Sequence, residues 1–180
     1  GDTSYELASG ASVTLVSDGT SKWLSKNISP YLYAECNNNS GDFNPVATGS
    51  GAVALGRSAS ASGVTSFAAG ANSGYGGSTA TGAGATALGG SYASGSNSFA
   101  AAIANNTSSY GASGANSVAM GTLAKASSTS AICLGMISIS SGARAVNFGS
   151  YSTASGSYSA VLSGVSNSVG QNYSVVLNGA

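Results

Sequence analysis

From Gly49 onward, apolar side chains return in short groups set between glycines and serines. The first group is Gly49-Ser-Gly-Ala-Val-Ala-Leu-Gly56. The pattern recurs from Gly63, Gly82, Gly95, Gly114, Ser128, Gly142, Gly156 and Gly170, at spacings of 14, 19, 13, 19, 14, 14, 14 and 14 residues. A period held over this many units is the signature of a solenoid. Within each unit the fifth and seventh places alternate with a small sixth place, as in a strand. The fifth places are Val53, Phe67, Thr86, Phe99, Val118, Ile132, Val146, Ala160 and Ser174. The seventh are Leu55, Ala69, Leu88, Ala101, Met120, Leu134, Phe148, Leu162 and Val176. Large side chains are expected to stack inside the coils, so the sixth column, led by Ala54, Ala68 and Ala87, is expected to face outward and admit a neighbour closely. The other half of each coil, such as Ser58-Ala-Ser-Ala-Ser62, reads as a second strand with small inward residues. Helix is disfavoured, because each interior glycine costs a helix about 1 kcal/mol. The glycines suit tight corners instead.

Residues 1–48 read differently and predict a small β-rich unit that caps or connects. Ala11-Ser-Val-Thr-Leu-Val16 alternates like a strand, and Asp18-Gly19 signals a hairpin turn. The division is therefore 1–48 and 49–180, with about nine mostly 14-residue coils in the second part. One coil of this size encloses little volume, so end caps and self-association are expected.

Composition narrows the function. The 180 residues include only five basic and five acidic side chains, and the net charge is zero. The scattered cations Lys22, Lys26, Arg57, Lys125 and Arg144 form no stripe, which argues against nucleic acid. No apolar run has the length of a membrane span. The chain has no histidine and no carboxylate after Asp42. Histidine-based catalysis, metal ligation by histidine and a carboxylate pair on the repeats are thereby removed, so neither an enzyme nor a cofactor is expected. Cys36 and Cys133 read as two free thiols.

The units Gly49-Ser-Gly-Ala-Val-Ala-Leu-Gly56 and Gly114-Ala-Asn-Ser-Val-Ala-Met-Gly121 resemble the head repeats of trimeric autotransporter adhesins. Related repeats occur in bacteriophage tail fibres. The resemblance covers about residues 49–177. It implies an all-β, single-stranded left-handed β-roll that assembles as a homotrimer. The segment Tyr5 to Trp23 is similar to short β segments of phage structural proteins. That likeness implies a tail fibre on a virion surface, attached to other fibre proteins and directed at a host receptor. The alternatives are a bacterial trimeric adhesin head at the cell surface and a purely structural spacer or decoration protein.

The two 19-residue periods each insert five residues, and solenoid insertions emerge as loops. The candidate receptor-binding residues are Asn72 and Tyr75 in the first, and Asn105, Asn106 and Tyr110 in the second. Two coil spacings would set the loops about 10 Å apart on one side. Tyrosine with amide neighbours suits a host protein or glycan. Tyr92, Tyr151 and Tyr158 add aromatic surface, and Tyr158 shares the third place of the unit with the exposed Arg144.

Overall fold

A computed structural model describes residues 45–72, 76–101 and 109–177. Residues 1–44 of the expected N-terminal unit lie outside this set, and Cys36 with them. The described chain is a β-solenoid of roughly 14-residue coils with no helix among the described residues. Each coil contributes one strand to each of two nine-stranded parallel sheets. The first sheet runs from Val53–Leu55 to Val175–Val176. The second runs from Val46–Ala47 to Ser168–Val169. The stack therefore opens just ahead of Gly49.

The register follows the sequence spacing through most of the molecule. Val53 pairs with Phe67, Phe99 with Val118, Val118 with Ile132, and Val146 with Ala160. All three irregular periods are absorbed without breaking the ladder, since Thr86 pairs with Phe67 on one side and Phe99 on the other, and Phe99 pairs in turn with Val118. The last coil departs from the expected alignment by one residue. Ala160 pairs with Val175, not Ser174, and Val161 pairs with Val176. The extra residue sits at the corner after Leu162. Phe148 bonds Val161 as expected, but Ser150 then bonds Gly164 and bridges Val165.

The direction of the side chains reverses the expectation. The sixth column is the interior: Ala68, Ala87, Ala100, Ala119, Cys133, Asn147 and Val161 are completely buried. It faces a matching small column from the second sheet, Ala61, Ala80, Ala93, Ala112, Ala126, Ser140 and Ala154. The fifth and seventh columns point away from this interior. Met120, Leu134, Phe148 and Leu162 are 41%, 37%, 44% and 41% exposed on successive coils. The reason is volume. Along most of the stack the two sheets approach closely, so methyl and hydroxymethyl groups fill the gap at interior density, and only the last coils take broader side chains, Asn147 and Val161. The large side chains stack coil to coil as expected, but on the outer face.

The corner leading into the first sheet explains the rest of the repeat. Its first residue accepts a hydrogen bond from the fourth, as in Ser66 N to Gly63 O at 3.2 Å and Ala145 N to Gly142 O at 3.1 Å. Glycine predominates at the first place, where a Cβ on Gly63 would lie 2.0 Å from the carbonyl oxygen of Gly82 on the next coil, although Ser128 makes the same corner bond, accepting from Ala131 N at 3.1 Å. The third place is left-handed, with φ between 53° and 57° at Thr65, Asn97, Asn116, Ser130, Arg144, Tyr158 and Tyr173. A turn of this kind needs positive φ at its third residue, and that geometry directs the side chain outward. Serine at the fourth place donates back to the first carbonyl, as Ser66 Oγ does to Gly63 O at 2.7 Å and Ser117 Oγ to Gly114 O at 2.7 Å.

Candidate functional site

Two surfaces of the roll carry chemistry that a partner can read. One is the corner that leads from the first sheet to the second, where both insertions open. The first insertion follows Phe67–Ala69 and forms an antiparallel ribbon, Ala71–Asn72 against Gly76–Gly77. Its base is closed by Ser78 N bonded to Gly70 O at 3.0 Å. Gly77 lies so close to the preceding coil that a Cβ there would fall 1.9 Å from Ser58 O. The second insertion follows Phe99–Ala101 and returns at Gly111–Ala112. The two openings share one corner and lie two coil spacings apart, as the spacing of the repeats predicts.

The structure places Asn72 in the outgoing strand of that ribbon, paired with Gly76. Tyr75, Asn105 and Asn106 lie outside the described residues. Tyr110 is half-buried and packs against the alanine interior. Its register explains this, since Ala112 pairs with Ala93 and Ala126, which puts Tyr110 level with the buried Ser91 and Ala124. The ring therefore anchors the return of the second insertion, and only part of it reaches solvent. Tyr92 sits on the outer face of the second sheet beside Thr79. Tyr151 is exposed at a left-handed corner position with φ 51°.

The other surface is a ladder on the third places of the last three coils. Arg144, Tyr158 and Tyr173 share the left-handed conformation and stand on successive rungs. The Tyr158 and Tyr173 rings are stacked with centroids 5.0 Å apart and planes 9° apart. The Arg144 guanidinium lies over the Tyr158 ring with its carbon 5.1 Å from the centroid, and its Nη1 donates to Tyr158 Oη. Tyr158 is 44% exposed and Tyr173 76%. The ladder's base is tied by Ser157 N donating to Asn172 Oδ1 at 2.8 Å.

Sequence reading finds Arg144 and Tyr158 on one place but misses Tyr173, because the last coil is taken one residue out of register. The signal is present in the chain: Tyr158-Ser-Ala-Val-Leu162 and Tyr173-Ser-Val-Val-Leu177 differ at one position.

Cys133 is a free, buried thiol whose Sγ donates to Ser138 O at 3.1 Å. Burial pushes it above the usual thiol range. It is an interior side chain and faces neither surface.

The YadA head domain repeat matches the chain in two copies, at residues 47–73 and 112–136. No curated protein matches the chain. The first matched stretch spans the opening coils and the outgoing strand of the ribbon, and the second spans regular coils after the second insertion. The roll is thus adhesin-like in its repeats as well as in its coil length.

Proposed function

We propose, from an adhesin-type β-roll with an unpaired apolar face, that this chain is the head of an attachment fibre. Three copies pack their first-sheet faces together and hold the corners out toward a cell surface. The observation that carries this reading is the outer face of the first sheet. Parallel sheets are stable when both faces are covered. Here the inner face is covered by alanine and serine, while Val118, Ile132, Met120, Leu134 and Phe148 stand on the outer one. Contiguous apolar surface of this kind marks an interface between proteins. The number three comes from the likeness to trimeric adhesin heads.

The head acts by contact and performs no chemistry, a reading supported by the absence of histidine and of any carboxylate after Asp42. The match to the YadA head domain repeat supports a bacterial cell surface as its location. The virion fibre reading rests on residues 5–23, which lie outside the described residues.

Mass measurement of the intact chain under native conditions, paired with binding of the labelled protein to cells, tests the reading. A trimer with saturable binding is expected. A monomer that stays soluble at micromolar concentration overturns the assembly, and a trimer that binds no cell surface leaves only a spacer.

A further inference from the structure

We infer that the ladder of Arg144, Tyr158 and Tyr173 is a binding site for an acidic polysaccharide, one bearing carboxylate or sulfate groups. The inference deepens the attachment reading by naming a ligand class, and rests on it only for the biological setting.

The described residues contain three cations, Arg57, Lys125 and Arg144, and no carboxylate at all. Arg144 is exposed and bonded to a neutral hydroxyl. A guanidinium has five N–H groups in a planar fork that matches carboxylate or sulfate oxygens two at a time. In Arg144 one nitrogen engages Tyr158 Oη, and the guanidinium carbon lies over the Tyr158 ring. That ring is in turn held by Tyr173. The side chain is therefore fixed before a ligand arrives, which removes much of the ordering cost of binding.

The hydroxyl adds a second donor. Tyr158 Oη accepts from Arg144, so its own proton is free to point outward. An O–H whose oxygen is engaged by a cation is polarised and donates more strongly. The remaining guanidinium N–H groups and this O–H thus form a cluster of donors with no acceptor among the described residues, which is the chemistry of an anion site.

A sugar polymer suits the surroundings better than a free anion. The third-place ladder continues along the rod through Ser130, Asn116 and Asn97, all with the same outward geometry. Rungs recur about every 4.8 Å. A linear chain lying along the corner meets hydroxyl and amide groups on successive coils, then the cation, then the exposed tyrosine edges. Aromatic edges and amides together suit the mixed apolar and polar faces of a sugar.

The test uses the full chain in its native assembly, immobilised and exposed to heparin, polysialic acid, neutral dextran and polyglutamate at low and moderate salt. Retention of heparin or polysialic acid but not dextran is expected, and which of the two binds identifies sulfate or carboxylate as the group read. Arg144→Gln should weaken that binding at least about tenfold, the loss of a charged hydrogen-bonding partner. Tyr158→Phe, which keeps the ring and removes the hydroxyl, should weaken it by a smaller factor. Lys125→Gln should change it less than about twofold. Equal losses from Arg144→Gln and Lys125→Gln would mean diffuse charge attraction and overturn the site. So would tighter retention of polyglutamate than of either polysaccharide, or a change in native mass on Arg144→Gln, which would place the residue in a subunit interface. Polysaccharide binding by a wild-type protein that attaches to no cell would sink the attachment reading and leave the site standing.

Discussion

Ala119 and Cys133 are partners on adjacent rungs of one parallel ladder, and both are completely buried. A methyl group and a thiol thus mark the size that this part of the interior accepts. Ala119→Leu inserts three carbons where facing alanines leave no gap, and a well-packed core charges about 1–3 kcal/mol or more for such overpacking. We expect its thermal unfolding midpoint to fall by several degrees, with a broadened transition. Cys133→Ala removes one sulfur and a weak hydrogen bond, and should cost only about 1 kcal/mol. A denaturant titration of both variants checks the asymmetry. Equal losses would mean that the interior has room to spare.

The same thiol sets a pH dependence. Burial raises its pKa in the folded chain, outweighing the hydrogen bonds that oppose the shift. The folded state therefore holds its proton more firmly than the unfolded state does. This contribution to stability is complete below the ordinary thiol range and declines as pH rises from there toward the folded pKa. In a Cys36→Ser background, the unfolding midpoint should fall more steeply as pH rises through and above the ordinary thiol range with Cys133 present than in Cys133→Ala. Parallel curves would show that the thiol ionises equally well in both states.

How much of this was legible in the chain depends on the kind of question asked. Period and register were readable, because Val53, Phe67, Val118 and Ile132 fall at places that pair in the sheet. The two faces of each strand were readable too. Which face is inside was not, because alternation separates two sides without naming them. The rule that large residues go inward fails here for a geometric reason: the coil is too thin for Phe67, so alanine takes the interior. The register slip at Leu162 was hidden because Gly170 imitates a first place, whereas Gln171 occupies it against Gly156. Of the candidate binding residues, only Tyr110 has a described side chain, and its inward register was masked by the insertion before it.

Asn147 tests how the interior treats a polar group. It is completely buried, and its Nδ2 donates to Ser152 O at 2.7 Å and Ile139 O at 3.1 Å. Its Oδ1 accepts from Gly149 N at 3.0 Å. The next residue along its column is Val161, so an aliphatic side chain of similar breadth is tolerated one rung away. Asn147→Val therefore poses little difficulty of size, and its cost is that of stranding buried backbone groups, about 2–3 kcal/mol. Chemical denaturation should show this loss with an unchanged m-value. A neutral outcome would mean that those backbone groups find other partners.

Two glycines provide an internal comparison. A Cβ on Gly63 would lie 2.0 Å from Gly82 O, and backbone cannot yield as a flexible side chain can. Gly63→Ala should push adjacent coils apart and abolish cooperative unfolding. A Cβ on Gly170 would meet only Ser155 Oγ at 3.7 Å, an ordinary contact. Gly170→Ala should change stability by less than about 0.5 kcal/mol. Circular dichroism melts of the two variants separate close coil approach from a general need for glycine. If Gly63→Ala melts like the wild type, the coil spacing is softer than the structure indicates.

The outer face makes the opposite demand. Val118 and Ile132 are register partners on the side of the first sheet away from Ala119 and Cys133. Neither is needed to fill the interior, so replacing both with serine should leave each roll folded with its strand content intact. What is lost is apolar area available to a neighbouring chain, about 1 kcal/mol for each half-covered side chain. In a symmetric assembly that loss recurs in every copy. Sedimentation velocity across a dilution series should therefore show the doubly substituted chain dissociating at a protein concentration at least about tenfold higher than the wild type. Far-ultraviolet circular dichroism should be unchanged at the highest concentration. Unaltered dissociation would assign the contact to another face of the roll. Loss of strand signal at every concentration would mean that these two side chains stabilise the single coil itself.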